Sequence, residues 1–404
     1  MFMIKKRNFI CFSIMVFIVG AAVPVAAISA VRAIRGETPI SQSDYAEYRA
    51  FKSKYGKLLA FDAYIRDNYY LPVDQGMLET GAYKGQFAGL GDIYTAYYTA
   101  DEYRLQSENA QGEFSGIGAA LRKNDGENPL IDSVLPGGPA EKEGLLAGDA
   151  ITLIDGAPCA DASLAEAVER LRGEEGTTVA LMIRREGAEF EKTLTRAKVV
   201  SPSVAGEMIE DGRLGYIRIA SFASHTAEDF RTALDGMESG GAAGLVIDLR
   251  DNSGGLVDSG VEIADMLLDG GTVAVAKAGD GSEEAYVTSP GATGLPYVLL
   301  VNGGSASTSE ILAGAVQDNR GGALVGARTT GKGIIQRLER FSGGDGARIT
   351  VAQYFRPNGD PVHEVGITPD YTVERADGDE ADPQLAKAVE LLLPPAPPVQ
   401  AEGS

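Results

Sequence analysis

The feature that most constrains the fold is an alternation of short apolar segments with helical segments between Val199 and Val373. The apolar segments include RLGYIRIASF, GLVIDLR and PYVLLVN, and segments with helical spacing, such as AEDFRTALDGM and SASTSEILAGAVQDN, follow them. Alternation of this kind is typical of buried, partly parallel strands covered by helices. The sequence therefore predicts a multidomain α/β (α+β) chain whose α/β core spans residues 199–375.

A second region, residues 113–198, consists of short strand-like runs, glycine turns and one helix. It contains LIDSVLPGGPAEKEGLLAGDAITLIDGAPC, and its stretch from Pro139 to Gly156 resembles the corresponding run of bacterial PDZ domains. The resemblance implies that the loop Gly116-Ile117-Gly118 presents backbone N–H groups to the terminal carboxylate of a peptide, which then adds as an extra strand. Without the surrounding pattern, one Gly-x-Gly would indicate only a turn.

The amino end carries Lys5, Lys6 and Arg7 before an uncharged apolar run from Phe9 to about Ala27. This arrangement predicts a secretory signal or an uncleaved membrane anchor over residues 1–30. Val25-Ala26-Ala27 offers a small-residue cleavage pattern, yet the run is nearly long enough to span a bilayer, so both outcomes stay open. In either case the excess of basic residues before the run predicts that the remainder lies outside the cytoplasm, in the periplasm or on the outer face of the membrane.

Charge and residue usage exclude several classes of function. The 57 Asp and Glu residues outnumber the 36 Lys and Arg residues, and a net charge of -21 disfavours binding to nucleic acid. The chain has two cysteines, Cys11 and Cys159, and two histidines, His225 and His363. We therefore expect no disulfide framework, no metal site and no cofactor, and few candidates for a histidine-based triad.

Helical patterns flank these regions. Residues 31–112 are rich in tyrosine and leucine at three- and four-residue steps, as in amphipathic helices that pack on a larger core. Residues 376–404 contain one helix, DPQLAKAVELLL, followed by a proline-rich tail that is expected to be flexible.

Two segments of the core carry residues suited to catalysis. The turn GGSASTSE follows PYVLLVN and leads into a helix, a position where α/β folds display reactive groups and bind anions. The serines there could equally be helix caps. Lys332 lies between two glycines, where burial would lower its pKa toward that of a useful base, and Gln336 follows four residues later. A phosphate loop is excluded because the upstream glycine and the Ser or Thr after the lysine are missing.

The combination VNGGSASTSEILAGAVQDN and GALVGARTTGKGIIQ resembles the active-site signature of the carboxy-terminal processing proteases, serine peptidases with a Ser-Lys pair. The resemblance covers about residues 40–375 and includes the closing run FRPNGDPVHEVGITPD. It implies that Ser307 is the nucleophile, Lys332 the general base and Gln336 its orienting partner. The motif R-x-N-x-G-G, at Arg250–Gly255, implies an oxyanion hole formed by the backbone N–H groups of Gly254, Gly255 and Thr308.

Two positions depart from the family pattern. Thr308 stands where alanine is usual, and Thr330 stands where phenylalanine is usual. We expect the first to crowd the oxyanion side and the second to loosen the apolar pocket of the lysine, with an effect on rate rather than on reaction type.

The resulting hypothesis is an extracytoplasmic serine endopeptidase that recognises protein C-termini through its PDZ domain and cleaves by acyl transfer. Its expected partners are peptides with free C-termini, the membrane if the amino end is uncleaved, and a second copy bound through segments 41–70 and 383–393. Two alternatives stay open: a catalytically silent PDZ scaffold, and a hydrolase in which His363 serves Ser307 with Asp248 or Asp370 as its orienting group. The second lacks a Gly-x-Ser-x-Gly motif.

Overall fold

A computed structural model describes residues 6–35, 40–124, 126–375 and 381–393. The chain divides into two compact units, residues 1–82 and 83–404. Parts of two predicted features, the first five residues of the amino end and the proline-rich tail with the acidic segment before it, lie outside the described residues.

The first unit is helical. It contains α1 (Lys6–Ile34), α2 (Gln42–Asn68) and the beginning of α3 (Gln75–Ala88). Within α1, Ile10–Ile28 has a mean hydropathy of 2.5 and is long and apolar enough to cross a membrane. This helix is compatible with the predicted signal or anchor. The next helix, α2, begins where Ser41 Oγ accepts a hydrogen bond of 3.1 Å from the Asp44 N–H, a typical N-cap.

The second unit contains a strand where the sequence predicted only helix. Between α3 and α4 (Ala100–Gln111) lies β1 (Ala96–Tyr98), which pairs antiparallel with residues 346–348. Thr95 Oγ1 accepts from the Thr350 N–H at 3.0 Å, and Asp92 Oδ2 accepts from Thr350 Oγ1 at 2.6 Å. The helical prediction is wrong here because the pairing joins distant segments, which local periodicity does not reveal.

A small antiparallel domain follows. Its sheet has the order β3-β4-β5-β7-β8, with β6 on β5, and it has a hydrophobic core of its own around Ile131, Leu181 and Leu194. The chain enters through β2 and leaves through β9, which pair with each other. The elements are β2 (Glu113–Gly116), β3 (Ala119–Arg122), β4 (Leu130–Val134), α5 (Pro139–Lys142), β5 (Ala150–Ile154), β6 (Ala157–Pro158), α6 (Leu164–Leu171), β7 (Thr178–Arg185), β8 (Ala188–Thr195) and β9 (Ala197–Val200).

The predicted α/β core is confirmed. Its main sheet has the order β10-β11-β12-β15-β16-β19, with every pair parallel except β10–β11. Helices α7, α8 and α9 contribute to the larger core cluster, and α10 packs with a separate cluster around Val246 and Val298. The elements are β10 (Val204–Ile209), β11 (Leu214–Ile219), α7 (Thr226–Ser239), β12 (Leu245–Asp248), α8 (Val257–Leu267), β13 (Gly271–Ala278), β14 (Glu283–Thr288), β15 (Tyr297–Val301), α9 (Thr308–Asp318), β16 (Ala323–Gly326), β17 (Ile334–Arg340), β18 (Gly346–Phe355), β19 (Tyr371–Thr372) and α10 (Pro383–Leu392).

Two features of this topology position the candidate site. Strands β12 and β15 are parallel neighbours, so the loops after Asp248 and Val301 meet at one edge of the sheet. A second sheet, of order β1-β18-β13-β14 with β17 on β18, contains Gln336 near the start of β17, with Lys332 just before that strand.

Candidate active site

Ser307 occupies a sharp turn between β15 and α9. Its backbone has φ 56° and ψ -117°, a conformation that is costly for a residue with a side chain. Strained strand-to-helix turns of this kind present nucleophilic serines in other α/β enzymes. The turn therefore has the geometry of a nucleophile elbow, although the sequence lacks the flanking glycines of that motif.

The hydroxyl groups of this turn have different partners. Ser305 Oγ donates to the Leu249 carbonyl at 2.7 Å, Thr308 Oγ1 to Gly255 at 2.9 Å, and Ser309 Oγ to Asn252 at 2.8 Å. Within the part of the chain that the structure describes, Ser307 Oγ donates no hydrogen bond, so its proton is uncommitted. Three hydroxyls thus fasten the turn to the loop 249–255, and the fourth is free to react.

The loop after β12 faces this turn. A Cβ on Gly254 would lie 2.8 Å from Ser307 Cβ, and Gly254 has φ 101°, so both proximity and conformation require glycine here. The Gly254 N–H already donates to Asn252 Oδ1 at 2.9 Å. Among the described hydrogen bonds, none uses the N–H of Gly255 or Thr308. Of the three predicted oxyanion donors, these two are uncommitted.

A buried ion-pair network fixes the base of that loop. The Arg250 guanidinium donates to Asp248 at 2.6 Å and to Asp382, the N-cap of α10, at 2.8 Å. Asp248 also accepts from Tyr216 Oη at 2.6 Å. Because Asp248 is buried, removing Arg250 would take away the cation closest to its carboxylate.

Glu310 joins the turn of Ser307 to the segment of Lys332. Its carboxylate is fully buried and accepts from the N–H groups of Ser307 at 2.9 Å, Gly331 at 2.7 Å and Lys332 at 2.8 Å. It also accepts from Thr329 Oγ1 at 2.5 Å. Sequence reasoning missed this residue, because a glutamate three positions after a serine is equally typical of an ordinary capping box.

Tyr354 joins the same two segments. Its hydroxyl lies 3.0 Å from the carbonyl oxygens of both Ser307 and Lys332, which share its single proton as acceptors. Burial raises the pKa of Tyr354 well above its usual range, so the hydroxyl stays a proton donor.

The Lys332 amine is half-buried and uncommitted. Its Nζ lies 5.0 Å from the centre of the Tyr94 ring, and no hydrogen bond joins it to Ser307 Oγ among the described residues. Burial lowers the pKa of Lys332 and the nearby Arg348 cation lowers it further, although Glu310 and Asp92 act in the opposite direction. The environment therefore favours the neutral amine that a general base requires.

Gln336 shares a cleft with the two other predicted catalytic residues. Ser307, Lys332 and Gln336 line a cleft of about 730 Å³, together with Gly254 and Gly255. The Gln336 side chain has a buried amide nitrogen without a hydrogen-bond partner among the described residues. The amide is therefore available to hold the lysine amine.

Thr330, which was expected to loosen the apolar pocket of Lys332, does not line the cleft that contains the lysine. Thr330 is exposed, its Oγ1 donates to the Gly303 carbonyl at 2.7 Å, and its N–H donates to Ser305 at 3.0 Å. Its side chain thus stabilises the turn before Ser307.

The residues of the histidine alternative, His363 with Asp248 or Asp370, do not form a catalytic group with Ser307. His363 does not line the cleft, and within the described residues its buried Nδ1 has no hydrogen-bond partner. Asp248 is engaged by Arg250, and Asp370 accepts from Gln317 at 2.8 Å and from the Leu324 N–H at 2.8 Å. Neither carboxylate orients His363.

The predicted carboxylate-binding loop lies between β2 and β3. Ile117 is buried and, with Gly116, lines a small apolar cavity of about 80 Å³ next to α6. The carbonyls of Ile117 and Gly118 accept from Ala140 and Leu135 at 2.7 and 2.9 Å. None of the described hydrogen bonds uses the N–H groups of these two residues.

Two family models match the chain. Residues 213–373 match peptidase family S41, and residues 105–184 match the PDZ domain. The chain is 39% identical over 302 residues to a carboxyl-terminal-processing protease of Synechocystis sp., covering 73% of this chain and 70% of that protein. It is 33% identical over 328 residues to the carboxy-terminal processing protease CtpA of Bacillus subtilis, covering 80% and 70%.

A solved structure of a putative S41 protease from Bacteroides fragilis shares the fold, with a TM-score of 0.52 at 18% identity over 82% of this chain and 96% of that one. The fold and the matched families define a serine peptidase that carries a PDZ domain. The chain belongs to peptidase family S41, and it is a carboxyl-terminal processing protease.

Proposed function

We propose that the chain cleaves peptide bonds by acyl transfer, with Ser307 as nucleophile, Lys332 as general base and Gln336 as the group that orients the base. The observation that carries this proposal is that the Ser307 hydroxyl donates no hydrogen bond among the described residues, whereas the three neighbouring hydroxyls all donate to the loop 249–255. Serine and lysine residues that act together need no histidine.

The reaction begins when neutral Lys332 accepts the Ser307 proton while Oγ attacks the substrate carbonyl carbon. The N–H groups of Gly255 and Thr308 stabilise the oxyanion, each by about 3 kcal/mol. The lysine then gives the proton to the leaving amine as the peptide bond breaks, and water resolves the acyl-enzyme with Lys332 again as base. For these steps to occur, the Lys332 amine must move away from the Tyr94 ring and approach Ser307, where the Gln336 amide would hold it.

The scaffold alternative fails to account for this site. A protein that only binds C-termini gains nothing from a strained serine with a free hydroxyl beside a lysine whose pKa is lowered by burial. Strain and perturbed pKa values of this kind are typical of catalytic sites.

The PDZ domain, residues 113–198, would select substrates by their free carboxyl terminus. The uncommitted N–H groups of Ile117 and Gly118 are donors suited to a carboxylate, and the adjoining apolar cavity would take the last side chain. The division of the remaining chain that we propose is a signal or anchor (1–30), a helical region (31–112), the peptidase core (199–375) and a C-terminal helix with its tail (376–404).

The PDZ proposal predicts a preference for free carboxylates. In the Ser307→Ala protein, which cannot consume the ligand, a substrate C-terminal peptide should bind at least about tenfold more tightly than its amidated twin, because charge-assisted hydrogen bonds are lost on amidation. Competition measured by fluorescence anisotropy would test this. Equal affinity for the two peptides would remove PDZ recognition from the proposal and leave the chemistry at Ser307 untouched.

The location that fits this activity is outside the cytoplasm. The basic residues before the apolar helix Ile10–Ile28 favour an orientation in which the peptidase is exported or held on the outer face of the membrane. A homodimer would use segment 41–70 rather than 383–393, since α10 buries Ala388 and packs Leu385 and Leu392 with the sheet.

A further inference from the structure

Thr308 links the two uncommitted donors of the proposed oxyanion hole. Its own N–H is one of them, and its hydroxyl donates to the carbonyl of Gly255, which supplies the other. Thr308 is fully buried, so this hydrogen bond is shielded from water. The Thr308 hydroxyl is the one side-chain donor to the Gly255 carbonyl among the described residues.

The peptide units on both sides of Gly255 are held by different groups. The Gly254 carbonyl, in the same peptide unit as the Gly255 N–H, accepts from the Phe222 N–H at 3.0 Å. On the other side, the Leu256 N–H donates to the Phe222 carbonyl at 2.7 Å and the Gly255 carbonyl receives the Thr308 hydroxyl. Phe222 thus holds the loop to the segment after β11, and Thr308 holds it to the start of α9, next to Ser307.

The methyl group of Thr308 has a matching space in α8. A Cβ on Gly260 would overlap with Thr308 Cγ2. Gly260 is a helix-interior residue with ordinary φ, so its lack of a side chain has no conformational reason. The glycine instead makes room for the methyl group of Thr308.

We propose that Thr308 is a positioning residue of the oxyanion hole: its hydroxyl sets the distance between the Gly255 and Thr308 N–H groups, and Gly260 accommodates its methyl group. This deepens the proposed acyl-transfer function and rests on it. The expectation that Thr308 merely crowds the oxyanion side is thereby replaced by a defined role.

The hydroxyl is tested by variants of matched shape. Thr308→Val keeps the branched shape but leaves the buried Gly255 carbonyl without its donor, and it should lower kcat about tenfold with little change in KM. Thr308→Ser restores the donor and should recover most of that loss. Equal kcat values for the valine and serine variants would overturn the role of the hydroxyl.

The methyl group is tested by stability, which does not depend on the reaction. Replacing glycine by alanine inside a helix is normally stabilising. Gly260→Ala should nevertheless lower Tm, because the new Cβ would overlap with Thr308 Cγ2. Thr308→Ser removes the methyl and should restore the Tm of Gly260→Ala. Gly236→Ala in α7 is the matched control, because a Cβ there meets nothing within 4 Å, and Tm should hold or rise.

The outcomes separate the two levels of the proposal. If Gly260→Ala raises Tm as Gly236→Ala does, or if Thr308→Ser fails to rescue it, the packing role is wrong. If Ser307→Ala keeps cleavage activity, the proposed function fails regardless of the Thr308 results. If Ser307→Ala is inactive while Thr308→Val has wild-type kcat, only the positioning role falls.

Discussion

Ser307→Ala and Lys332→Ala are each expected to reduce peptide cleavage by a factor on the order of 10⁴ or more while the folded structure persists. The serine variant removes the attacking oxygen and keeps the Ser307 N–H that donates to Glu310, so the turn is retained. The lysine variant removes the base and a partly buried amine, which costs the fold little because that amine has no ion-pair partner in the described chain. Cleavage of a peptide with an unblocked C-terminus, followed by mass spectrometry, would measure both losses.

The double variant distinguishes a catalytic unit from two independent contributions. Because one residue activates the other, Ser307→Ala with Lys332→Ala should be scarcely less active than either alone. Gln336→Ala should be milder, since the amide orients the base and does not react. His363→Ala serves as the control, because His363 lies outside the cleft. Retained activity in Lys332→Ala together with loss in His363→Ala would contradict the Ser-Lys assignment.

Glu310→Gln should be the most damaging change outside the proposed reacting groups. The carboxylate accepts four hydrogen bonds, and an amide in the same place would direct its NH₂ group at one or two of those donors. We expect a loss of about 3 kcal/mol in the free energy of unfolding. Because the backbones of Ser307 and Lys332 would separate, we also expect a fall in kcat on the order of 100-fold or more.

A matched variant tests whether that effect is specific to the carboxylate. Tyr354→Phe removes a hydroxyl that donates at the same junction. It should lower the free energy of unfolding by about 1 kcal/mol and reduce kcat far less than Glu310→Gln does. Denaturant unfolding and steady-state kinetics on both proteins would give the comparison. Wild-type kcat in Glu310→Gln would show that the junction does not position the site.

Regular patterns in the sequence predicted the larger architecture. Buried strands such as β12 and β15 are short apolar runs, and their parallel pairing is of the kind that a connection containing a helix, here α8, allows. The pairing of β1 with β18 is accompanied by hydrogen bonds that Thr95 and Asp92 accept from Thr350, a residue far away in the sequence. Local spacing does not reveal such contacts, and it indicated a helix instead.

The candidate site was predictable to the level of residue type and spacing. The run Ser305, Ser307, Thr308 and Ser309 offers four hydroxyls that composition cannot tell apart. The family resemblance implied Ser307, and in the structure the other three hydroxyls each donate to a backbone carbonyl. Similarly, the commitment of the Gly254 N–H to Asn252 and the bridge made by Glu310 depend on tertiary contacts.

The most direct test of the account is the pH dependence of the phosphonylation of Ser307 by a fluorophosphonate, in which Oγ attacks phosphorus and fluoride leaves, with peptide mapping of the adduct. Since burial lowers the pKa of Lys332, the labelling rate should rise with pH through a single titration below the ordinary value for lysine, as the amine becomes neutral. Lys332→Arg keeps the charge but cannot supply a neutral base, so its labelling rate should be negligible at every pH. An adduct on a residue other than Ser307, or labelling of Lys332→Arg at the wild-type rate, would contradict the mechanism.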